Sequence, residues 1–517
     1  MHDNLGGFLA KRAYLTPERE AYVDSHTRER LTFRQLNARA NQLVNSLVKA
    51  GLQKGERVGL LLMNSAEFME AYFALAKAGA VVVPLNWRLV PDELEFILKD
   101  SGTQRLIYGH EFVDTVVDLQ GRGDRTLIRQ WLQVADINGP STPAWFAEDY
   151  AAFRNAGQPA EPELGARGDD MLYIMYTSGT TGLPKGVVHS HGTAIWGVLT
   201  ISANAEFHAA DRYLAALPMF HVGALTPLAV NVYRGATSIV MRAFDPLLAW
   251  QLIDQEQITT GLAVPAMLNF MLQVPDFGRF RYSQLRWMMT GAAPVPVQLM
   301  QRYFDMGVQI LQVYGLTESC GPACLMDGEN ALRKVGSTGK SFFHTEVQLV
   351  REDGEVCKAG EAGEVLVRGP HVMIEYWNRP EATAETLRDG WLHTGDVAVA
   401  DDEGFIYIQD RIKDMVISGG ENVYPAEIEA VLMTHPDIVE AGVIGQPSER
   451  WGESPFAIVV RRRPDLTERD VIEFCRGKLA AFKQPKGVAF IDVIPRNPSG
   501  KILKRILREQ YPGPAAV

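Results

Sequence analysis

The chain has 517 residues, of which 46% are hydrophobic and 22% are charged, as in a globular protein large enough for several cores. The formal net charge of −11 argues against a nucleic-acid-binding protein, because contacts to phosphates require clustered lysine and arginine. No secretory signal or membrane-length apolar run is visible, and the four cysteines lack the spacing of a zinc site or a disulfide framework. We therefore expect a large cytoplasmic protein with reduced cysteines.

The first part of the chain alternates between strand and helix patterns. Strands are predicted over 57–63, 80–84 and 105–108, and helices over 66–77 and 91–99. This alternation predicts parallel βαβ units and an α/β domain. The polar stretch 114–168 is predicted to be irregular surface structure. Further on, the alternation returns, with predicted strands over 213–218, 237–241, 260–264 and 286–291, each followed by a helix.

After Gly336 the pattern changes to short strands joined by Asp-Gly and Glu-Gly turns, predicted over 347–350, 363–368 and 405–409. The last part of the chain combines helices at 426–433 and 467–481 with strands at 438–445 and 456–461. The predicted fold is α/β. A large N-terminal domain of layered α/β units with a β-rich subdomain, residues 1–410, precedes a small mobile α+β C-terminal domain, residues 411–517, with a hinge at about 410–414.

The most informative segment is 176–186 (YTSGTTGLPKG), which follows an apolar strand at 171–175. Its glycines let backbone N–H groups approach an anion closely, its hydroxyls can donate to phosphate oxygens, and Lys185 adds positive charge. It is not a Walker A loop, because Pro184 precedes the lysine and Gly186 follows it. A flexible surface turn is the alternative, and eleven consecutive residues of this composition disfavour it.

Six further motifs follow in order: LPMFHV at 217–222, GAAP at 291–294, YGLTES at 314–319, WLHTGD at 391–396, DRIKDMVISGGENVYP at 410–425 and NPSGK at 497–501. With these motifs the chain resembles the adenylate-forming (ANL) superfamily of acyl-CoA synthetases, luciferases and peptide-synthetase adenylation domains. The resemblance covers essentially the whole chain. Within the superfamily the chain looks most like bacterial long-chain fatty-acyl-CoA synthetases, with coumarate and feruloyl-CoA ligases nearby.

The resemblance implies a site for MgATP and the adenylate. Its nucleotide-binding residues would be Thr177, Ser178, Gly179, Thr180, Thr181, Gly182, Lys185, Gly291, Ala292, Gln312, Tyr314, Gly315, Thr317, Asp396, Arg411 and Lys501. The catalytic residues would be Lys501, Thr177 and Glu318, the last two also serving Mg²⁺, which prefers hard oxygen ligands. A carboxylate such as Asp396 can accept both ribose hydroxyls. Arg411 would bind ribose or phosphate, and its alternative is an ion pair with Asp410 or Asp414.

The acyl site is assigned by the same resemblance. Phe220 and His221 would gate it, and Gly223, Ala224 and Gly315 would set its size. Amino-acid-activating relatives place an aspartate directly after this phenylalanine, to pair with the substrate ammonium, so His221 disfavours amino acids as substrates. Lys413 would lie in the hinge. The side facing CoA would carry Gly419, Gly420, Glu421 and Asn422.

The sequence thus predicts an AMP-forming acid–thiol ligase that uses Mg²⁺, ATP and CoA, with a medium- to long-chain fatty acid favoured as substrate. Two alternatives stay open: a ligase for aryl or bulky acids of the coumarate or terpenoid kind, and a protein specialised in one half-reaction. The basic run Arg461–Arg463 is either a solvated strand end or a surface for weak peripheral membrane contact. A homodimer is compatible with the sequence.

Overall fold

The computed structural model of the chain describes residues 3–139, 141–177, 184–291, 295–418, 421–448, 451–476, 478–496 and 502–513. Within these ranges the chain forms 15 α-helices, numbered α1 to α15 in chain order: Gly6–Leu15, Phe33–Lys49, Ala66–Ala78, Pro91–Ser101, Val113–Gly121, Tyr150–Asn155, His191–Asn204, Val222–Arg234, Pro246–Gln255, Pro265–Gln273, Val297–Asp305, Pro380–Thr386, Pro425–Leu432, Glu468–Cys475 and Lys504–Gln510. Short 3₁₀ turns lie at His110–Phe112, Gly123–Arg125, Phe277–Arg279, Thr317–Ser319 and Ile412–Asp414.

The same described ranges contain 27 strands, numbered β1 to β27: Glu20–Asp24, Arg30–Thr32, Arg57–Leu61, Val81–Pro84, Arg105–Gly109, Gln130–Val134, Glu148–Asp149, Met171–Thr177, Lys185–Ser190, Arg212–Ala215, Thr237–Val240, Thr260–Leu262, Trp287–Thr290, Gln309–Tyr314, Cys324–Leu325, Lys340–Ser341, Glu346–Val350, Ala362–Arg368, Glu375–Tyr376, Leu387–Arg388, Trp391–Ala400, Ile406–Arg411, Val416–Ser418, Glu421–Val423, Ile438–Ser448, Gly452–Arg461 and Gly487–Phe490.

Two large sheets with mostly parallel strands form the N-terminal part of the chain. Their strand orders are β16-β15-β14-β13-β12-β10-β11-β1-β2 and β19-β9-β8-β4-β3-β5-β6-β7. Helices α2, α3, α7 and α8 share one buried apolar cluster with strands of both sheets, so the main core lies between the sheets. The predicted parallel βαβ units are confirmed.

Helix α3 shows how local sequence sets these elements. The Ser65 hydroxyl accepts a hydrogen bond from the Phe68 N–H at the start of the helix, and Gly79 ends it in the left-handed conformation. Between these two residues almost every side chain is buried, because the helix packs between the two sheets. The predicted helix at 66–77 is therefore confirmed.

Two smaller sheets complete the fold. The third is antiparallel, with the order β17-β18-β21-β20 and β22 paired to β21. The fourth has the order β24-β23-β26-β25 with β27 on β26, and helices α13 and α14 pack against it. A large N-terminal unit with a β-rich subdomain and a small C-terminal α+β unit confirm the predicted fold class. The boundary near residue 410 and the mobility of the small domain stay predictions.

Two local predictions were wrong. The stretch 114–168 is not irregular, because it contains α6 and also β6, which pairs in parallel with β5. Buried Trp131 and Leu132 lie between two glutamines in β6, and these polar neighbours hid the strand pattern. The helix predicted over 467–481 ends at Cys475, because Arg476 adopts extended backbone angles.

Candidate active site

Strands β8 and β9 form the hairpin that carries the predicted phosphate loop. They are antiparallel, and Thr177 at the end of β8 pairs with Lys185 at the start of β9. Directly opposed residues in such a pair project from the same face of the sheet, so the two side chains lie on one face at the base of the loop. The Lys185 ammonium lies 5.0 Å from the centre of the Tyr376 ring. The predicted loop residues Ser178, Gly179, Thr180, Thr181 and Gly182 lie outside the described residues.

Glu318 lies in the 3₁₀ turn Thr317–Ser319, directly after β14. Its Oε1 accepts a hydrogen bond of 2.8 Å from the Tyr376 hydroxyl. Burial, together with the charge of Glu318, raises the pKa of Tyr376, which keeps this hydroxyl protonated as a donor. Among the described residues, Oε2 of Glu318 has no hydrogen-bond partner and stays available to a cation.

The Glu318 carboxylate is a suitable ligand for Mg²⁺ of the kind found in enzymes that bind nucleotides. Mg²⁺ keeps several waters and is commonly held by one or two carboxylates together with substrate phosphates. The described ranges contain no group of three or more histidine, cysteine, aspartate or glutamate side chains that would hold a metal ion alone. Glu318 would therefore share the ion with ATP. A direct contribution from Thr177 stays a prediction.

Asp396, Tyr314 and Arg411 come together at the junction of β14, β21 and β22. The Tyr314 hydroxyl donates a 2.7 Å hydrogen bond to Oδ2 of the buried Asp396. Asp396 and Arg411 are register partners on β21 and β22, and Nε of Arg411 lies 2.9 Å from Oδ1 of Asp396. The open alternative for Arg411, a pair with Asp410 or Asp414, is wrong, because its ion-pair partner is Asp396.

The Arg411 guanidinium stays charged at this junction. Burial acts to lower the pKa of Arg411, but the charges of Asp396 and Glu318 outweigh burial and raise it. Although Nε is close to Asp396, it is buried and its N–H finds no hydrogen-bond acceptor among the described residues. The contact with Asp396 is therefore an ion pair without hydrogen-bond alignment, and it holds the charged guanidinium beside the carboxylate.

In the part of the predicted nucleotide site that would bind adenine, two glycines let backbone segments come close together. A Cβ at Gly291 would lie 2.3 Å from the carbonyl oxygen of Val313, and a Cβ at Gly315 only 1.4 Å from that of Gly321. The Gly315 prediction needs correction: the space left by its missing side chain is filled by backbone, so Gly315 does not set the size of the acyl pocket. The buried Gln312 side chain donates to the sulfur of Met300. Ala292 lies outside the described residues.

The close approach of Gly315 to the Gly321 carbonyl predicts how an alanine substitution there changes stability. We expect Gly315→Ala to lower the free energy of unfolding by about 3 kcal/mol or more, since two backbone segments would have to separate. Gly223→Ala is the matched control, because its new Cβ would lie 3.5 Å from Cδ1 of Leu217, an ordinary contact, and its effect should stay within about 1 kcal/mol. Urea unfolding measures both. A Gly315→Ala variant as stable as the unchanged protein would contradict the packing.

The predicted gate residues form part of an aromatic cluster. The rings of Phe220 and His221 lie 4.5 Å apart, and the Trp87 ring meets Phe220 edge-on at 6.1 Å. Burial lowers the pKa of His221 to about 4, and the charge of Arg88 acts in the same direction, so the imidazole is neutral near pH 7. Within the described part of the chain, Nε2 of His221 and Nε1 of Trp87 are buried without hydrogen-bond partners. Gly223 and buried Ala224 follow in the first turn of α8.

The predicted hinge lies between β22 and β23 and is held by helix α15. The exposed Lys413 lies in the 3₁₀ turn Ile412–Asp414. Arg508 of α15 donates a 2.9 Å hydrogen bond to Asp414. Lys504 of the same helix lies 3.1 Å from Glu429 and 3.7 Å from Asp410. Lys504 is thus neutralised within the protein and is not a free basic surface residue.

The remaining predicted residues near the hinge are only partly described. Asn422 is exposed and pairs with Ile417 across β23 and β24, and Glu421 pairs with Ser418 in the same ladder. Gly419, Gly420 and the predicted catalytic Lys501 lie outside the described residues.

Residues 9–377 match the family model described as AMP-binding enzyme, and residues 427–501 match the one described as AMP-binding enzyme C-terminal domain. The chain belongs to the AMP-binding enzyme family. The predicted membership of the adenylate-forming superfamily is confirmed. This AMP-binding enzyme is 45% identical to the long-chain-fatty-acid–CoA ligase FadD13 of Mycobacterium tuberculosis over 98% of each chain, and 38% identical to a feruloyl-CoA synthase of Amycolatopsis over 99% of each.

A solved structure of the family is also similar. It is the o-succinylbenzoate coenzyme A synthetase of Bacillus subtilis in complex with ATP and a magnesium ion. Its TM-score to this AMP-binding enzyme is 0.85 at 32% sequence identity, and the match covers 97% of this chain and 99% of that one.

Sequence reasoning did not select two residues of this AMP-binding enzyme that the structure places at the site. Tyr376 donates to Glu318 and lies beside Lys185, and Trp87 packs on the gate. Trp87 had a usable signal, because it follows β4 closely, and ligands of parallel sheets bind beyond the carboxyl ends of the strands. Tyr376 had no such signal. Its position depends on the pairing of the two-residue strand β19 with β9.

Proposed function

We propose that this enzyme is an AMP-forming acyl-CoA ligase whose preferred substrate is a medium- to long-chain fatty acid. It converts the acid and MgATP to acyl-AMP and pyrophosphate, and then transfers the acyl group to CoA with release of AMP. The observation that supports the proposal is that Glu318, Asp396, Tyr314 and Arg411 come together where β14, β21 and β22 meet. We propose that the Glu318 carboxylate binds the cation and that the other three residues bind the ribose. The similarity to FadD13 along the whole chain supports the fatty-acid assignment.

The first step needs positive charge where two anions meet. The acid carboxylate attacks the α-phosphate, and the bond from that phosphorus to the bridging oxygen of pyrophosphate breaks. Such phosphoryl chemistry depends mainly on positioning and electrostatic stabilisation. Lys185 at the base of the loop and Lys501 would neutralise the phosphates, and Thr317 would donate to the α-phosphate. When bound through Glu318, Mg²⁺ supplies further neutralisation of the phosphate charge.

The second step needs access for the CoA thiol. The thiol sulfur attacks the acyl carbonyl, the bond to the AMP phosphate oxygen breaks, and the thiol proton is released. Asp396 and Arg411 keep the AMP in place by its ribose. We place a hinge at Lys413 and the CoA-facing surface at residues 419–422, because a change of domain pose would exchange Lys501 for that surface. Gating by domain motion of this kind is common among enzymes.

The acyl chain would lie beside the aromatic cluster and the first turn of α8. We expect Gly223→Phe to shift the preferred fatty acid to a shorter chain, because overfilling a packed site costs about 1–3 kcal/mol and this cost falls on the longest acids. Thioester formation across saturated acids of increasing length measures the shift, with Gly223→Ala as the control. An unchanged chain-length profile in the phenylalanine variant would place the pocket elsewhere.

A second candidate substrate class is supported by the same aromatic cluster. Trp87, Phe112 and Phe220 form a ring-lined wall, which suits a planar aromatic acid as well as an alkyl chain. The similarity to a feruloyl-CoA synthase is consistent with this alternative. Thioester formation from a fatty acid and a hydroxycinnamic acid, supplied together at equal concentration, decides between them: the higher kcat/KM identifies the substrate class.

Membrane contact, a homodimer and a cytoplasmic location stay predictions from the sequence. No helix in the described ranges is long and apolar enough to cross a membrane. Arg461 belongs to the basic run for which weak membrane contact was one of two alternatives, and it lies over the Phe490 ring at 4.3 Å. Arg463 of the same run lies 3.2 Å from Asp437. These internal contacts reduce the free charge of the run and weaken the case for lipid binding.

A further inference from the structure

Two buried histidines hold the turn that carries Glu318. His189 of β9 has its Nε2 2.7 Å from the carbonyl oxygen of Thr317. His371 has its Nδ1 2.9 Å from the carbonyl oxygen of Ser319. Because a carbonyl only accepts, each of these ring nitrogens must carry the hydrogen. The two histidines therefore donate hydrogen bonds to the first and last residues of the turn Thr317–Ser319.

The other nitrogen of each ring is also engaged. Nδ1 of His189 lies 3.0 Å from the Thr193 hydroxyl, and Nε2 of His371 lies 2.7 Å from the Thr345 hydroxyl. Burial lowers the pKa of both histidines to about 4, so both rings are neutral near pH 7 and their second nitrogens are acceptors that face the threonine hydroxyls. The Thr193 hydroxyl also lies 3.1 Å from the Ser190 carbonyl, which competes for its hydrogen. Each histidine is thus fixed in one tautomer and one orientation.

The middle of the turn is held as well. The carbonyl of Glu318 accepts a 2.7 Å hydrogen bond from the N–H of Met373, two residues beyond His371. Three successive carbonyls of the turn therefore each accept from a group outside it. The donors come from β9, which begins at Lys185, and from the segment leading to Tyr376, which pairs with β9. The turn is linked in this way to β9, which follows the phosphate loop, and to the segment that runs into β19.

We propose that His189 and His371 are positioning residues for adenylation: by donating to the Thr317 and Ser319 carbonyls, they fix the turn so that Glu318 and Thr317 face the MgATP. Both act through the turn. The inference rests on the proposed function, since it assigns these side chains to the adenylation half-reaction. An apolar side chain at position 371 would leave the Ser319 carbonyl without a donor among the described residues. An apolar side chain at position 189 would leave the Thr317 carbonyl only the Cys320 N–H, 3.0 Å away and next to the same turn, so the turn would lose its link to β9.

The two histidines use different ring nitrogens, and this difference gives matched variants. Glutamine can place its amide N–H₂ near the Nε2 position of histidine, whereas the shorter asparagine reaches only the Nδ1 position. His189→Gln should therefore keep its donor and His189→Asn should lose it. For His371 the order is reversed, so His371→Asn should keep the donor and His371→Gln should lose it.

The experiment measures both half-reactions of the full-length enzyme in the four variants. We expect His189→Gln and His371→Asn to release pyrophosphate within about threefold of the unchanged enzyme, and the two mismatched variants to release it about 10- to 100-fold more slowly, the range expected when the turn loses one of the hydrogen bonds that hold it from outside. The mismatched variants should also need more Mg²⁺ for half-maximal rate. CoA thioester formation from supplied acyl-AMP should change by less than about threefold in all four.

Three results would overturn the positioning role: the same rates for both substitutions at each histidine, equal losses in the two half-reactions, or mismatched variants that fail to fold at both positions. If only one mismatched variant fails to fold, the comparison at the other histidine decides alone. Pyrophosphate release by the unchanged enzyme separates this test from the proposed function. Its absence with every acid tested would reject the function itself.

Discussion

Lys501→Ala is expected to slow pyrophosphate release by ~10²–10³-fold, the scale of losing one preorganised electrostatic group. The family resemblance assigns the catalytic role to Lys501 of the segment NPSGK. Its ammonium would neutralise the charge that develops as the carboxylate meets the α-phosphate. The second half-reaction has no such need, so thioester formation from supplied acyl-AMP should be largely spared.

Rapid-quench measurement of the two half-reactions tests this division. Lys486→Ala is a suitable control, because Lys486 is an exposed lysine of the same part of the chain and its ammonium contacts only the Ala481 carbonyl among described residues. The control should leave both rates unchanged. Equal damage to both half-reactions by Lys501→Ala would refute the specific role in adenylation.

Glu318→Gln is the second substitution with a large expected effect. The amide oxygen can still accept from Tyr376, but the variant lacks the negative charge that we propose holds Mg²⁺ against the phosphates. We expect pyrophosphate release to fall by ~10²–10³-fold and the Mg²⁺ concentration for half-maximal rate to rise, with transfer from acyl-AMP again spared. Titration of the rate with Mg²⁺ at saturating ATP is the measurement.

Two further variants distinguish the effect of the Glu318 charge from the effect of its hydrogen bond to Tyr376. Glu381→Gln removes an exposed carboxylate at the start of α12 and should change neither rate nor Mg²⁺ dependence. Tyr376→Phe removes the hydrogen bond but keeps the carboxylate, and should slow pyrophosphate release by only about 3- to 10-fold. A Glu318→Gln enzyme with normal Mg²⁺ dependence would show that the ion binds elsewhere.

The elements predicted correctly are those whose signal is local. The helix α3 has a serine cap, an apolar body and a terminal glycine within one stretch, and all three could be seen in the sequence. Strand β6 was missed because two of its own residues, Gln130 and Gln133, are polar. Gln133 is buried nonetheless, since its side chain accepts from the Tyr108 hydroxyl on the adjacent strand. That contact depends on strand pairing, which the sequence pattern does not reveal.

The site shows the same division. The motifs selected Asp396, Tyr314 and Arg411 one by one, but the contact between Asp396 and Arg411 follows from the register of β21 and β22, which includes an irregularity between Val397 and Ala398. The pairing of Arg411 with its sequence neighbours was the natural alternative and was wrong. The histidines that hold the Glu318 turn could not be predicted either, because their acceptors lie far away in sequence.

The central claim is that this one chain catalyses two linked steps, adenylation of the acid and transfer of the acyl group to CoA, and that ATP is converted to AMP and pyrophosphate in the process. The most direct test is the product balance of the purified enzyme with MgATP, a long-chain fatty acid and CoA. We expect one AMP, one pyrophosphate and one acyl-CoA for each ATP consumed, and pyrophosphate with enzyme-bound acyl-AMP when CoA is omitted. Formation of ADP and inorganic phosphate, or acyl-AMP that CoA does not convert to thioester, would contradict the account.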